Sequence, residues 1–333
     1  MSEYLVVRCH GLVTHLLPNQ VIDALASSRN IKDFADMLAS TDYGGRIREL
    51  KKIDATSLEH VFSDELISNY KYVMATASDA AQDFLRAYFR RLEVQAVSRI
   101  MRGKISKPPK DVKPLLPSVE GLSDLRLDHM MEAENVEMVV ELLKNTRYSS
   151  VAKSLDWYRE YNRVLPLEFH LRKVYYTTTL EALQSLPSED RERIGQLLGI
   201  EVDITNCYTA AAPVLYEYST ELSKQLIIPH YLRLSPSKVQ EAIEAKSPRA
   251  VLAYLKSYEE IVKPLLEEKD EALAEVKALS LVRREARKHM LAANIDLAYA
   301  ICYIILREIE RRNLTLIAYM TQENLQTKGY LIV

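Results

Sequence analysis

The sequence predicts an all-α protein, and three observations support this fold class. Only 8 of the 333 residues are glycine, whereas the usual frequency of about 7% would give roughly 23. No stretch alternates apolar and polar residues for long enough to indicate a β-strand. Apolar residues instead recur at i, i+3, i+4 and i+7, which is the spacing of one helix face. These runs directly follow residues that commonly cap helices.

Local signals mark where several helices begin and where the chain breaks. Thr56 with Glu59 fits a capping box, and Ser235-Pro236 and Ser247-Pro248 each place a cap before a proline at the first helical position. Proline marks the predicted breaks. These are a loop from Ser106 to Gly121 with Pro108, Pro109, Pro114 and Pro117, and positions near Leu186-Pro187 and Ile228-Pro229.

A cap followed by an amphipathic helix occurs three times, and a short amphipathic segment precedes each cap. The copies are Asn30 with Ile31, Phe34, Ala35 and Leu38; Asn135 with Val136, Val139, Val140 and Leu143; and Ser247 with Pro248, Val251, Leu252 and Leu255. The first two copies end in Thr-x-Tyr, at Thr41–Tyr43 and Thr146–Tyr148, and the third is more degenerate. The spacing between copies is about 110 residues, which indicates an internal repeat.

A second pattern repeats with the same period of about 110 residues. An acidic residue is followed three positions later by alanine or asparagine and then by apolar residues. The copies are Glu93 to Ile100 with Ala96, Asp203 to Ala210 with Asn206, and Glu310 to Ile317 with Asn313. Two patterns with one period are stronger evidence for a repeat than either pattern alone.

The two patterns predict three similar helical domains, with approximate boundaries at 1–115, 116–230 and 231–333. Three such domains in an arc would approach threefold symmetry and could leave a space on the axis. The equivalent positions are structural and do not form a binding site: Asn30, Asn135, Ser247, Glu93, Asp203 and Glu310. Coincidence stays open as an alternative, because a cap before an amphipathic helix is common.

Charge, cysteine content and apolar runs exclude several classes of protein. The chain has 44 Lys and Arg against 46 Asp and Glu, a net charge of −2, which argues against a basic nucleic-acid binder. Cys9, Cys207 and Cys302 are far apart without a CxxC motif, so buried free thiols in a reducing compartment are expected. The longest apolar run, Leu297–Leu306, is shorter than the ~20 residues that span a membrane. Membrane association is therefore expected through a partner.

The motifs of common active sites are absent from the sequence. It contains no phosphate-binding glycine motif, no HExxH, no DDxxD, and no histidine three residues after a glutamate. We therefore predict no catalytic, cofactor-binding or metal-binding residues. Two basic runs, Arg86–Lys110 and Arg283–Lys288, fit either solvated helix faces or contacts with an acidic partner or lipid headgroups.

Short segments in a fixed order along almost the whole chain carry a family resemblance. They are Tyr4–Arg8 followed by Leu16-Leu17, Leu38–Gly44, Pro166–Glu168 followed by Tyr175-Tyr176, and Glu308–Asn324 around Arg312–Leu314. Together they resemble the C subunit of A/V-type rotary ATPases and ATP synthases, called the d subunit in vacuolar ATPases. Ala96 departs from the asparagine that is common in the family, and the third copy near Tyr258 is degenerate. Both departures concern local geometry.

The resemblance implies a funnel of three helical domains that acts as a non-catalytic rotor subunit. Such a subunit would lie on the membrane proteolipid ring of c or K subunits, receive the central stalk of D- and F-type subunits, and transmit torque. The resemblance implies a peripheral position on the cytoplasmic face of the membrane, without cofactor, nucleic acid or homo-oligomer. Two other classes stay open. A helical-repeat scaffold would show repeats of about 33–47 residues, and an all-helical enzyme would need a cluster of Asp, Glu or His.

Overall fold

The computed structural model describes residues 3–106, 112, 116, 122–292, 296–327 and 329–333. Within these ranges the regular elements are helical and none is a β-strand, so the all-α prediction is confirmed. The α-helices are α1 (Glu3–Val13), α2 (Asn19–Ala26), α3 (Ile31–Met37), α4 (Gly44–Arg48), α5 (Ala55–Thr76), α6 (Asp79–Phe89), α7 (Arg91–Ile105), α8 (Leu127–Glu132), α9 (Val136–Leu142), α10 (Leu155–Tyr161), α11 (Leu165–Leu183), α12 (Ser188–Tyr216), α13 (Thr220–Leu226), α14 (Pro236–Glu244), α15 (Pro248–Tyr254), α16 (Glu259–Lys263), α17 (Glu271–Leu291) and α18 (Leu297–Gln322). Two 3₁₀ segments, Ser149–Ser154 and Lys256–Tyr258, and a π-helical turn, Pro264–Glu268, complete the regular structure of these ranges.

The described part of the chain falls into two units. The first takes in the described residues of Met1–Gln82, Lys113–Glu120 and Leu279–Val333, and the second those of Asp83–Val112 and Gly121–Ala278. The first unit therefore contains both ends of the sequence. The division into three domains and the funnel shape stay predictions.

Helix α18 forms the centre of the first unit. The five consecutive residues from Ala300 to Ile304 have no exposed surface, and α1 and α5 pack against the helix. Phe34 and Phe62 meet edge to face, with ring centroids 6.2 Å apart, in a cluster that includes Leu314 of α18. The longest apolar run of the sequence is thus part of a core helix. Within the described ranges, no helix is both long enough and apolar enough to span a membrane.

The second unit is organised around α12, a helix of 29 residues. It packs against α11, α13 and α14, and α7 packs against α11. The predicted breaks at Leu186-Pro187 and Ile228-Pro229 are confirmed, because the first lies between α11 and α12 and the second between α13 and α14. Helices α10 and α12 end at Asn162 and Glu217, which adopt left-handed backbone conformations with φ of 49° and 59°.

The local prediction for the start of α5 is wrong, whereas that for α14 is confirmed. Ser235 caps α14 and accepts a hydrogen bond from the Lys238 amide. Helix α5 begins at Ala55, and its capping box joins Asp54 and Ser57. Aspartate is as good a cap as threonine, so the earlier residue takes the position. Glu59 is buried and accepts a hydrogen bond from Tyr319.

The predicted proline-containing loop cannot be compared in full. Pro108, Pro109, Pro114 and Pro117 lie outside the described residues, as do Gly121 and the basic residues Lys107 and Lys110.

Candidate functional site

A buried carboxylate in α18 joins two remote segments of the first unit. The phenolic hydroxyl of Tyr43 donates to Oε1 of Glu310 at 2.6 Å. The backbone amide of Leu17 donates to the other carboxylate oxygen, also at 2.6 Å. Tyr43 follows α3, and Leu17 lies in the loop before α2. Glu310 therefore fastens both ends of the α2–α3 helix pair to α18.

Glu93 in α7 makes the corresponding contacts within the second unit. Tyr148 donates to one of its oxygens at 2.8 Å, and the Ser123 hydroxyl donates to the other at 2.8 Å. Tyr148 follows α9, and Ser123 lies in the loop before α8. Both ends of the α8–α9 pair are thus fastened to α7.

Asp203 in α12 occupies a third arrangement of the same kind. Tyr258 donates to its Oδ2 at 2.9 Å. Three consecutive amides in the loop before α14 also donate to the carboxylate, and the shortest of these bonds, from Arg233, is 2.7 Å. Tyr258 follows α15, so the α14–α15 pair is fastened to α12. We call each carboxylate with its tyrosine a clamp.

The three clamps are buried, and burial fixes the protonation state of the tyrosines. The exposed fraction of the carboxylate residues is 2% for Glu93, 0% for Asp203 and 5% for Glu310. Burial and the adjacent carboxylate raise the pKa of Tyr43, Tyr148 and Tyr258 above the ordinary value. The phenol therefore stays a hydrogen-bond donor at neutral pH. Hydrogen bonds to charged groups contribute about 1.5–3 kcal/mol each, so a clamp is a strong local restraint.

The second helix of each pair has a side-chain cap where the sequence placed one. Asn30 accepts from the amides of Lys32 and Asp33, Asn135 accepts from Met138, and Ser247 accepts from Ala250. Each cap stabilises the start of the helix that precedes a clamp tyrosine in the chain. All six of the sequence-selected positions thus contribute either a cap or a clamp carboxylate.

Two of the three carboxylates are followed by an asparagine that binds the backbone in both directions. Asn206 donates to the Ile228 carbonyl at 3.0 Å and accepts from the Ile228 amide at 2.9 Å. Asn313 does the same with Ile332, at 2.8 and 3.0 Å. Ala96 stands at the corresponding position after Glu93 and has no polar side chain for this contact.

The sequence pattern did not reveal which groups meet the carboxylates. The clamp tyrosines recur with the same period as the acids, and this shared period was the available signal for the pairing. Arg307 was missed altogether. It is 2% exposed, lies one helical turn before Glu310, and donates to it at 2.5 Å. Arg307 also pairs with Asp42, the residue before Tyr43.

The described residues contain no cluster of three or more His, Cys, Asp or Glu side chains that could hold a metal ion. The three cysteines are buried and free, and burial raises the pKa of the Cys9 thiol to about 12. The clamps hold helices in place and leave no reactive group exposed.

Two arginines of the first basic run pair with carboxylates of the protein itself. Arg91 forms a nearly buried ion pair with Glu201 at 2.9 Å. Arg102 binds both oxygens of the buried Glu168 at 2.6 Å. Arg91 therefore has a structural role, whereas the side chain of Arg102 is 61% exposed and satisfies a buried carboxylate from the surface.

Comparison with known proteins connects this architecture to one family. The sequence profile of the ATP synthase (C/AC39) subunit family matches residues 5–328. The A-type ATP synthase C subunit of Pyrococcus abyssi is 23% identical, over 97% of this chain and 87% of its own length. The C subunit of Thermococcus kodakarensis is 21% identical over 97% and 87%, and that of Desulfurococcus sp. is 21% identical over 97% and 88%.

Proposed function

Because the chain belongs to the ATP synthase (C/AC39) subunit family, we propose that it is a non-catalytic rotor subunit of an A/V-type ATPase or ATP synthase. It couples the central stalk, built from D- and F-type subunits, to the membrane ring of c or K proteolipids. Torque passes through it between ATP chemistry and ion translocation. The observation that carries the proposal is the family match over residues 5–328, which takes in all three clamps.

The clamps support a mechanical role. A subunit that transmits torque must resist relative movement of its helices, since movement would dissipate the rotation. Each clamp fastens a loop and a helix end to a long helix through a buried, charge-assisted bond. These restraints are non-local in sequence, so they resist bending within each unit better than helix propensity alone would.

We also propose that the clamps mark three copies of one structural motif. Each copy is a long helix with its carboxylate, together with one helix pair. Glu93 and Asp203 lie 55 residues before their tyrosines, whereas Glu310 lies 267 residues after Tyr43. The first copy is thus assembled from both ends of the chain. Boundaries at 115 and 230 would separate the carboxylates from their tyrosines.

The proposed location is peripheral, on the cytoplasmic face of the membrane, through contact with the proteolipid ring. No cofactor, nucleic acid or second copy of the chain is needed for this role. The lack of a membrane-spanning helix in the described ranges is compatible with such contact.

Affinity purification of the tagged chain from native membranes tests the proposal. We expect stoichiometric recovery of central-stalk and proteolipid-ring subunits, identified by mass spectrometry. The matched control is the chain with Leu143→Asp, which places a charge at a fully buried position of the α9 segment and should lose the partners by unfolding. Recovery of the intact chain without any rotary ATPase subunit would refute the proposal.

A further inference from the structure

Helix α1 exposes a continuous stripe on its outer face. Tyr4, Val7, Arg8 and Gly11 are all exposed, and they stand at i, i+3, i+4 and i+7, the spacing of one helix face. The exposed fraction is 57% for Tyr4 and 65% for Val7. We call these four residues the α1 stripe. At a rise of about 1.5 Å per residue, the stripe is about 10 Å long.

The opposite face of α1 holds the helix in place. Leu5, Val6 and Cys9 are 1%, 1% and 0% exposed, and α1 packs against α5 and α18. The helix therefore cannot turn the stripe inward without exposing three buried apolar side chains. Exposure of the stripe is a property of the folded first unit.

Arg8 is held in position without a carboxylate partner among the described residues. Its guanidinium lies 5.5 Å from the ring centre of Tyr4 and 5.1 Å from that of Tyr72. Its Nε donates to the hydroxyl of Tyr72. Two aromatic rings thus orient a planar cation at the surface. A preoriented arginine fork matches the two oxygens of a carboxylate.

Gly11 has no side chain and therefore forms a shallow depression in the stripe, which we call the low point. No other described residue packs into it. A Cβ atom at this position would meet nothing within 4 Å. Glycine inside a helix is less stable than alanine, and no contact within the described residues requires it. The missing side chain allows the backbone of another helix to approach closely.

We infer that the α1 stripe docks an α-helix of another subunit, whose small apolar side chains lie over Val7 and Gly11 and whose Asp or Glu side chain pairs with Arg8. The spacing, the low point at Gly11 and the oriented charge of Arg8 all favour this occupant. Tyrosine and arginine are also the residues enriched at protein interfaces. The inference rests on the proposed function, since the partner is taken from the same assembly.

Site-specific cross-linking in the purified assembly tests the inference. The chain carries the photoreactive residue p-benzoylphenylalanine in place of Val7, and the matched control carries it in place of Met138, which is 45% exposed on α9. We expect the Val7 probe to label one segment of another subunit with helical periodicity and an acidic residue. Labelling of lipid only, of a second copy of this chain, or of nothing would overturn the inference.

Two substitutions extend the test to energetics. Gly11→Leu fills the low point, and Gly45→Leu is the matched control, because a Cβ at Gly45 also meets nothing within 4 Å. We expect Gly11→Leu to lower occupancy of the chain in the assembly at least fivefold while Gly45→Leu leaves it unchanged. Circular dichroism of both chains confirms that they fold. Equal occupancy of the two variants would contradict the inference.

Charge reversal identifies the partner residue. Arg8→Glu should lower occupancy at least fivefold, and a Glu→Arg or Asp→Arg substitution in the cross-linked segment should restore it. Failure of every such substitution to restore occupancy would overturn the predicted ion pair. If the wild-type chain is absent from any rotary ATPase, the proposed function fails. If the wild-type chain is present and these results are negative, only the docking inference fails.

Discussion

The hydroxyl of Tyr43 donates a 2.6 Å hydrogen bond to the carboxylate of Glu310, 267 positions later in the chain. This contact joins the N-terminal helices to α18 and places both ends of the sequence in one unit. Two further tyrosine–carboxylate pairs, Tyr148–Glu93 and Tyr258–Asp203, fasten helix pairs in the second unit. The proposed mechanical role depends on these restraints.

Removal of one clamp hydroxyl should destabilise the fold. Tyr43→Phe leaves the ring in place but deprives the buried Glu310 of a donor, so we expect a loss of about 1–3 kcal/mol in unfolding free energy. Urea denaturation of the isolated chain measures the change. Tyr254→Phe is the control, because this half-buried ring packs against Lys238 through its face and should change stability by less than about 0.5 kcal/mol. Equal stability of Tyr43→Phe and wild type would contradict the role of the clamp.

Loss of a helix cap should lower the free energy of unfolding by less than a charge placed on the buried face of the same segment. Asn135→Ala removes the acceptor of the Met138 amide and should cost about 0.5–2 kcal/mol. Leu143→Asp should cost more, because Leu143 is 0% exposed and a buried charge without a partner is strongly unfavourable. Asn145→Ala, at an exposed position in the same loop, is the control. A neutral Leu143→Asp variant would mean that the helix face is assigned incorrectly.

The backbone bridge made by Asn206 should also contribute to stability. Asn206→Ala leaves the buried amide of Ile228 without its acceptor, while the Ile228 carbonyl keeps the His230 amide as donor. An unsatisfied buried group costs about 1–3 kcal/mol. Asn313→Ala should show a similar loss through Ile332. Thermal unfolding followed by circular dichroism compares both with the exposed control Asn145→Ala. Melting temperatures equal to that of the control would show that these bridges do not contribute.

The contribution of Glu308 to stability should fall with rising pH. Burial raises the pKa of this carboxyl from 4.5 to about 8, against the opposing effect of Arg311. At this position the folded state therefore binds more protons than the unfolded state between these values, and the contribution of Glu308 to the unfolding free energy decreases from about pH 5 to pH 8, by at most about 1.4 kcal/mol per unit.

Glu308→Gln should flatten that pH dependence, because its side chain does not titrate. Urea midpoints at three pH values across the window give the slope, and the exposed Glu323→Gln serves as the control. The same slope in Glu308→Gln and wild type would exclude Glu308 as its source.

Local features of this fold could be predicted from the sequence, whereas pairings between distant residues could not. Caps such as Asn30 and apolar stripes act within one or two turns, so their pattern is visible in a short window. The contact of Tyr43 with Glu310 depends on the path of the whole chain. The role of Arg307 could not be predicted, because this residue lies in an apolar helix and pairs with residues such as Asp42 that are distant in sequence.

The wrong prediction at the start of α5 has a related origin. The capping box at Thr56 was wrong because several polar residues near a helix start can serve as the cap, and Asp54 takes the position with Ser57 as its partner.

Reconstitution of the rotary assembly into vesicles, with and without this chain, tests the coupling role most directly. The quantity measured is ion uptake per ATP hydrolysed. The proposal predicts that, without the chain, the catalytic head still hydrolyses ATP while ATP-driven ion uptake is lost, and that adding the purified chain restores uptake. Ion uptake at the full ratio in vesicles that lack the chain would contradict the coupling role.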